Sequence, residues 1–217
     1  RPSLLIADDV GLGKTIEAGL ALLELEARGM AGRALVVVPP GLLLQWEEEL
    51  RERFGVQFTL IESAAGLARE QARLPAGVSP WDALPRVLTS VDYLKKETIR
   101  SRALRKRWDL VIVDEAHALS ASGTPRNPYT TQRSRLGEAL RNGSRGLILL
   151  TATPHNGYRH AFRSLIELVE PSAAALHGNE EHLSRRIRAA MIRRMKSQIV
   201  RRDPKGRLEP VFLRRKV

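Results

Sequence analysis

The chain has 217 residues, 43% of them hydrophobic and 28% charged, enough for one large α/β domain or a domain with an appendage. Cysteine is absent, which removes disulfides, thiolate catalysis and cysteine-based zinc sites; no apolar run approaches the roughly 18 residues of a membrane span, and no signal-peptide pattern is present. The net charge of +12 is uneven: residues 185–217 hold 13 Lys/Arg against 2 Asp/Glu, and the rest hold 23 against 22, so the basic segment reads either as a polyanion-binding surface, nucleic acid first, or as a solvated flank.

In chain order the pattern predicts a strand over 4–7, a helix over 14–28, a strand over 34–38, a helix over 42–53, a strand over 58–61 and a helix over 67–73. A proline-rich loop over 75–85 follows, then a strand over 87–89, a helix over 93–106, a strand over 110–113 and a loop over 120–129. A helix over 132–141, a strand over 147–150 and a helix over 158–169 complete the series. Strands apolar on both faces suit a mostly parallel central sheet with helices on both faces, an α/β fold. After Pro171 the strand rhythm stops, and residues 180–199 predict a basic helical appendage; the division is a lobe over 1–170 and an extension over 171–217. The chain begins with Arg1 and a strand starts almost at once, so a piece of a longer protein is expected.

Three strand ends carry chemistry. Asp8-Asp9-Val10-Gly11-Leu12-Gly13-Lys14-Thr15 follows the first strand and opens a helix, the context of a phosphate loop. Its glycines let N–H groups turn inward around phosphate oxygens, and the helix start adds positive potential. Lys14 would reach the β- and γ-phosphates and Thr15 would offer a hydroxyl to Mg²⁺. The general pattern has Gly six residues before this Lys, where Asp8 stands here.

Asp114 and Glu115 end the strand over 110–113, where open α/β sheets place their ligands. Asp114 is expected to hold Mg²⁺ through a water, and Glu115 to orient and deprotonate the attacking water. His117 would link this box to a neighbouring element. His117 lacks the second His at helical spacing that a His-Glu-x-x-His zinc site requires. The strand over 147–150 ends in Thr151-Ala152-Thr153-Pro154, whose hydroxyls suit either coupling to the acidic box or an ordinary strand exit.

Taken together, a phosphate loop, Asp114-Glu115-Ala116-His117 and Thr151-Ala152-Thr153-Pro154 in this order resemble helicase superfamily two. The Asp8 form of the loop resembles the Swi/Snf-like branch. So do Val37-Val38-Pro39-Pro40-Gly41-Leu42-Leu43-Leu44-Gln45-Trp46, Leu88-Thr89-Ser90-Val91-Asp92-Tyr93 and Ile192-Arg193-Arg194-Met195-Lys196-Ser197. Thr-Ala-Thr-Pro-His-Asn-Gly is similar to bacterial members, the RapA-like or DISARM-helicase-like proteins.

The resemblance covers essentially the whole chain. It implies a RecA-like first lobe that binds ATP and Mg²⁺ against a second RecA-like lobe, in a cytoplasmic bacterial motor moving along double-stranded DNA. The loop contacts to nucleotide would come from Asp9, Val10, Gly11, Leu12, Gly13, Lys14 and Thr15; catalysis from Lys14, Asp114 and Glu115; coupling from His117, Thr151 and Thr153. By analogy Pro39, Pro40, Gln45, Trp46, Thr89 and Ser90 would lie near the DNA backbone. Trp46 reads equally as a core residue, and Thr89-Ser90 as a cap. The helical stretch from Lys95 to Arg107, with 7 Lys/Arg, suits DNA or solvent equally, and the segment from Arg185 is the better nucleic-acid candidate. The Arg-Arg-x-Lys segment would lead toward the second lobe. Other functions left open are a strand-separating helicase, a restriction-type motor, and a non-catalytic nucleic-acid-binding module. An arginine finger from a second lobe is worth roughly 10³–10⁵ in rate, so the lobe alone is expected to bind nucleotide weakly and turn it over slowly.

Overall fold

The computed structural model describes residues 2–120, 122–124, 127–129, 131–153, 159–172, 180–202 and 208–212. Pro154 and His155 lie outside them. The strands are β1 (Ser3–Ile6), β2 (Ala34–Val38), β3 (Thr59–Leu60), β4 (Arg86–Ser90), β5 (Trp108–Val113), β6 (Ser122–Thr124), β7 (Asn127–Tyr129), β8 (Ser144–Leu150), β9 (Met191–Ile192), β10 (Val200–Arg202) and β11 (Leu208–Pro210). The helices are α1 (Lys14–Ala27), α2 (Leu43–Phe54), α3 (Ala64–Gln71), α4 (Pro80–Ala83), α5 (Val91–Leu94), α6 (Glu97–Ala103), α7 (Gln132–Asn142), α8 (Arg159–Val169) and α9 (Glu180–Ala190).

Seven strands form one parallel sheet in the order β3-β4-β2-β5-β8-β1-β9. The period of two along its strands sorts the core into two layers. Leu35, Val37, Val111, Val113, Leu147 and Leu149 pack with Leu136 and Leu140 of α7 and Leu165 and Ile166 of α8. Val36, Val38, Ile112, Ile148 and Leu150 pack on the opposite face with Ala18 and Leu22 of α1 and Trp46 and Leu50 of α2. This is the expected α/β lobe with both sheet faces covered.

Four expectations change. The helix expected over 93–106 is two short ones, α5 and α6, whose N-caps Ser90 and Lys96 both have extended backbone. The loop over 75–85 contains the turn of helix α4, started by Pro80 in the first helical position. The loop over 120–129 contains the antiparallel pair β6–β7. The basic helix expected over 180–199 stops at Ala190, and Met191–Ile192 continues the sheet, Met191 beside Leu5 and Ile192 beside Ile6. The strand rhythm therefore resumes after Pro171.

The sheet order determines what meets at its C-terminal edge. β8 lies between β5 and β1, with Val113 opposite Leu149 and Ile6 opposite Leu150. The ends of β5, β8 and β1 therefore stand side by side, and the chain leaving β9 passes directly along the exit of β1.

Candidate functional site

The loop from Ala7 to Gly13 connects β1 to α1. Gly11 and Gly13 have φ of 79° and 84°, the left-handed region that side chains with a Cβ rarely adopt. Gly13 in this conformation is the N-cap of α1, so the helix starts at Lys14 without a side-chain cap. Its first N–H groups are left for an anion. Lys14 Nζ donates to the carbonyl oxygens of Asp8 at 3.0 Å and Asp9 at 3.5 Å. Its ammonium thus rests over the loop, on oxygens that occupy the role phosphate oxygens would take. Val10 is 70% exposed at the tip, so its contribution is its backbone.

Asp114 leaves β5 with both carboxylate oxygens engaged. Oδ1 accepts the Glu115 N–H at 2.8 Å and Oδ2 accepts the Trp46 indole Nε1–H at 2.9 Å. Each oxygen keeps a further lone pair, which suits holding a hydrated cation through its water. Glu115 has φ 48° and ψ 45°, the one non-glycine residue with positive φ among the described residues. That conformation costs about 1–2 kcal/mol for an L-residue. It turns the chain sharply off the strand, so adjacent carboxylates take different directions.

Glu115 Oε2 lies 3.1 Å from His117 Nδ1, which lies 3.3 Å from Thr151 Oγ1. Thr151 Oγ1 in turn accepts the Thr153 N–H at 3.2 Å. This chain of contacts joins the acidic box to the end of β8 and brings together His117, Thr151 and Thr153, the last through its backbone.

Gly11, Gly13, Lys14, Thr15, Asp114 and Glu115 share a cleft of about 340 Å³. Gln45, Glu49 and Arg53 on α2 form its far wall. Gln45 is exposed and donates to Glu49 Oε1 at 3.0 Å, so this side chain, expected at DNA, faces the phosphate-loop cleft.

The remaining residues expected at DNA divide sharply. Trp46 is 2% exposed and Thr89 and Ser90 are 0% and 4% exposed. Thr89 Oγ1 donates to the Ile61 carbonyl at 2.5 Å, and Ser90 Oγ accepts the Tyr93 N–H at 3.1 Å as the cap of α5. The polar atoms of these three side chains meet protein partners: Trp46 the acidic box, Thr89 the Ile61 carbonyl and Ser90 the start of α5. Pro39 is half-buried and Pro40 exposed, opening the 3-10 turn before α2. In the basic stretch around α6, Arg100 pairs with Glu97, Arg105 with Asp82 and Lys95 with Asp92, so much of its charge is already answered.

Contacts that sequence reasoning missed surround Asp8, which is fully buried. Its Oδ1 accepts the Arg194 N–H at 2.8 Å, and its Oδ2 accepts Arg194 Nε at 2.7 Å and pairs with Nη2 at 2.6 Å. Arg194 also pairs with Glu17 of α1. Asp9 Oδ2 accepts the Lys196 N–H at 2.9 Å, and the Asp9 N–H donates to the Arg194 carbonyl at 3.1 Å. The Arg-Arg-x-Lys segment, expected to lead away toward a second lobe, first runs along the phosphate loop.

Asp92 is held below the usual carboxylate range by the Lys95 hydrogen bond and then by Arg133, while burial pushes the Tyr93 hydroxyl up and the Arg33 guanidinium down.

Comparison with known proteins agrees with this geometry. The profile of the SNF2-related domain matches residues 1–214. The RNA polymerase-associated protein RapA of Vibrio atlanticus is 37% identical over 172 residues, 78% of this chain and 17% of that protein. The protein of the same name from Sodalis glossinidius is 36% identical over 173 residues, 79% of this chain and 17% of its own. The chain thus spans about a sixth of the length of these curated relatives. The Sulfolobus solfataricus SWI2/SNF2 ATPase core in complex with dsDNA superposes with a TM-score of 0.63 at 20% identity, over 89% of this chain and 40% of that one.

Proposed function

The chain belongs to the SNF2-related domain family, and from that premise we propose that it is the ATP-binding lobe of a DNA-dependent ATPase that moves along double-stranded DNA. The observation that carries this reading is convergence: Lys14 and Thr15 at the start of α1, and Asp114 and Glu115 at the end of β5 a hundred residues on, line one cleft at the C-terminal edge of the sheet. Relatives named for association with RNA polymerase, and a structural neighbour bound to dsDNA, support a DNA-associated role in the bacterial cytoplasm.

Each residue has a defined task in this proposal. The N–H groups of Val10, Gly11, Gly13, Lys14 and Thr15 surround the phosphates, while the Asp9 N–H stays on the Arg194 carbonyl, and the Lys14 ammonium leaves its loop carbonyls for the β- and γ-phosphate oxygens. Thr15 and Asp114 would hold Mg²⁺, which supplies charge neutralisation at the phosphates when bound. Trp46 fixes the Asp114 carboxylate. Glu115 takes the proton of the attacking water, and His117 passes the position of Glu115 to Thr151. A second lobe of the same protein closes the cleft, so the lobe alone binds nucleotide weakly.

Steady-state ATP hydrolysis by the intact protein, with and without duplex DNA, tests this reading. Duplex should accelerate turnover, and Glu115→Gln should lower it at least about 100-fold, within the range for loss of a general base, while nucleotide still binds. Hydrolysis indifferent to both DNA and Glu115 would sink the proposal. Displacement of a triplex-forming strand without separation of the duplex identifies translocation; separation of the duplex identifies a strand-separating helicase instead.

A further inference from the structure

We infer that Lys196 is a second phosphate-binding cation of the nucleotide site, delivered to the loop by the segment that leaves β9, where a 3-10 turn over Lys196–Gln198 begins. The inference rests on the phosphate-loop reading above and adds a residue to it.

Backbone geometry makes the placement specific. From β9 onward the chain continues parallel to the exit of β1: the Ala7 N–H donates to the Ile192 carbonyl at 2.7 Å and the Asp9 N–H to the Arg194 carbonyl at 3.1 Å. Two carboxylates of the loop then grip the same segment, Asp8 through the Arg194 N–H and guanidinium and Asp9 through the Lys196 N–H. With its backbone so held, Lys196 extends back over the loop. Its Nζ lies 3.6 Å from where a Cβ on Gly11 would stand.

The ammonium is poised rather than used. Among the described residues it has no carboxylate partner, and it sits over the Phe212 ring, 5.2 Å from Nζ to centroid. A ring face holds a cation in place without neutralising it. The nearby carboxylates are otherwise committed, Asp8 to Arg194 and Asp9 to the Lys196 N–H. Lys14 and Lys196 thus place two ammonium groups on one glycine-rich loop beside a helix start, a concentration of positive potential that a polyphosphate satisfies. This placement also gives Asp8 a purpose: where the general loop has Gly, a buried carboxylate clasps the segment that carries the second cation.

Equilibrium titration of the intact protein with ATP and, separately, adenosine tests the inference, using Lys196→Ala, Lys196→Arg and Lys14→Ala. Removing a charge-assisted contact should weaken ATP binding on the order of 10-fold in Lys196→Ala. Lys196→Arg should recover most of that loss, and adenosine binding should stay unchanged in both. ATP affinity equal to wild type in Lys196→Ala, alongside a clear loss in Lys14→Ala, overturns the inference and leaves the phosphate-loop reading standing. A parallel loss of ATP and adenosine overturns it too, because a phosphate contact would discriminate between them. Undiminished ATP binding by Lys14→Ala would remove the loop reading and Lys196 with it.

Discussion

Replacing Trp46 by phenylalanine keeps a buried ring and removes the donor that reaches Asp114 Oδ2 at 2.9 Å. Losing a hydrogen bond to a charged group costs about 1.5–3 kcal/mol, so Trp46→Phe should lower the denaturation midpoint measurably. The larger effect is expected on hydrolysis, about 10-fold or more, because Asp114 would no longer be fixed. Unchanged turnover in a Trp46→Phe protein of reduced stability would show that the contact serves the core alone. Trp46 was legible as either a core or a DNA residue from its helical position. The missing information was depth: a polar atom at a strand end is equally good as a phosphate donor or a cap, as Ser90 shows by capping Tyr93. Lys14, Thr15, Asp114 and Glu115 were readable because each depends on local context, a strand followed by a turn. The left-handed backbone of Glu115 had no signal of its own, since nothing in Asp-Glu-Ala-His demands positive φ.

Elements were legible where hydrophobic period and length agreed. The five apolar runs became β1, β2, β4, β5 and β8 because each is buried on both faces. β9 escaped because two residues in an arginine-rich stretch carry no period, and only its neighbour β1 makes Met191–Ile192 a strand. The break between α5 and α6 was hidden by continuous helix-forming composition. α5 is tied to α7 by Asp92, which accepts from Lys95 Nζ at 2.8 Å and Arg133 Nη2 at 2.9 Å. The carboxylate is 40% exposed, so Asp92→Asn should cost well under about 1 kcal/mol at neutral pH. Its folded value is lowered, so this stabilisation is fully present above the ordinary carboxylate value and is lost as pH falls through the lowered one. Denaturation of wild type and Asp92→Asn across acidic pH should therefore show two curves that converge as pH drops. A gap that widens on acidification would contradict the assignment.

At the scale of the whole molecule, one long-range relation could not be read from the sequence. Asp8 and Arg194 are 186 residues apart, and both motifs were visible separately. That they touch follows from sheet order: β9 beside β1 aligns two chain exits, and the loop's carboxylates meet the segment leaving β9. The basic charge of residues 185–217 is accordingly not all free for nucleic acid, since Arg194 answers Asp8 and Glu17 and Arg186 pairs with Glu170. The lobe thus holds its phosphate loop from two sides, by β1–α1 and by the segment after β9.

The central claim is that this cleft binds nucleotide phosphate through the loop and spends it through Glu115. Calorimetric titration of the 217-residue chain with ATP and Mg²⁺ measures the binding half directly. Weak saturable binding is predicted, lost in Lys14→Ala and retained in Glu115→Gln. Binding of equal strength in wild type and Lys14→Ala, or its loss in Glu115→Gln alone, would contradict it.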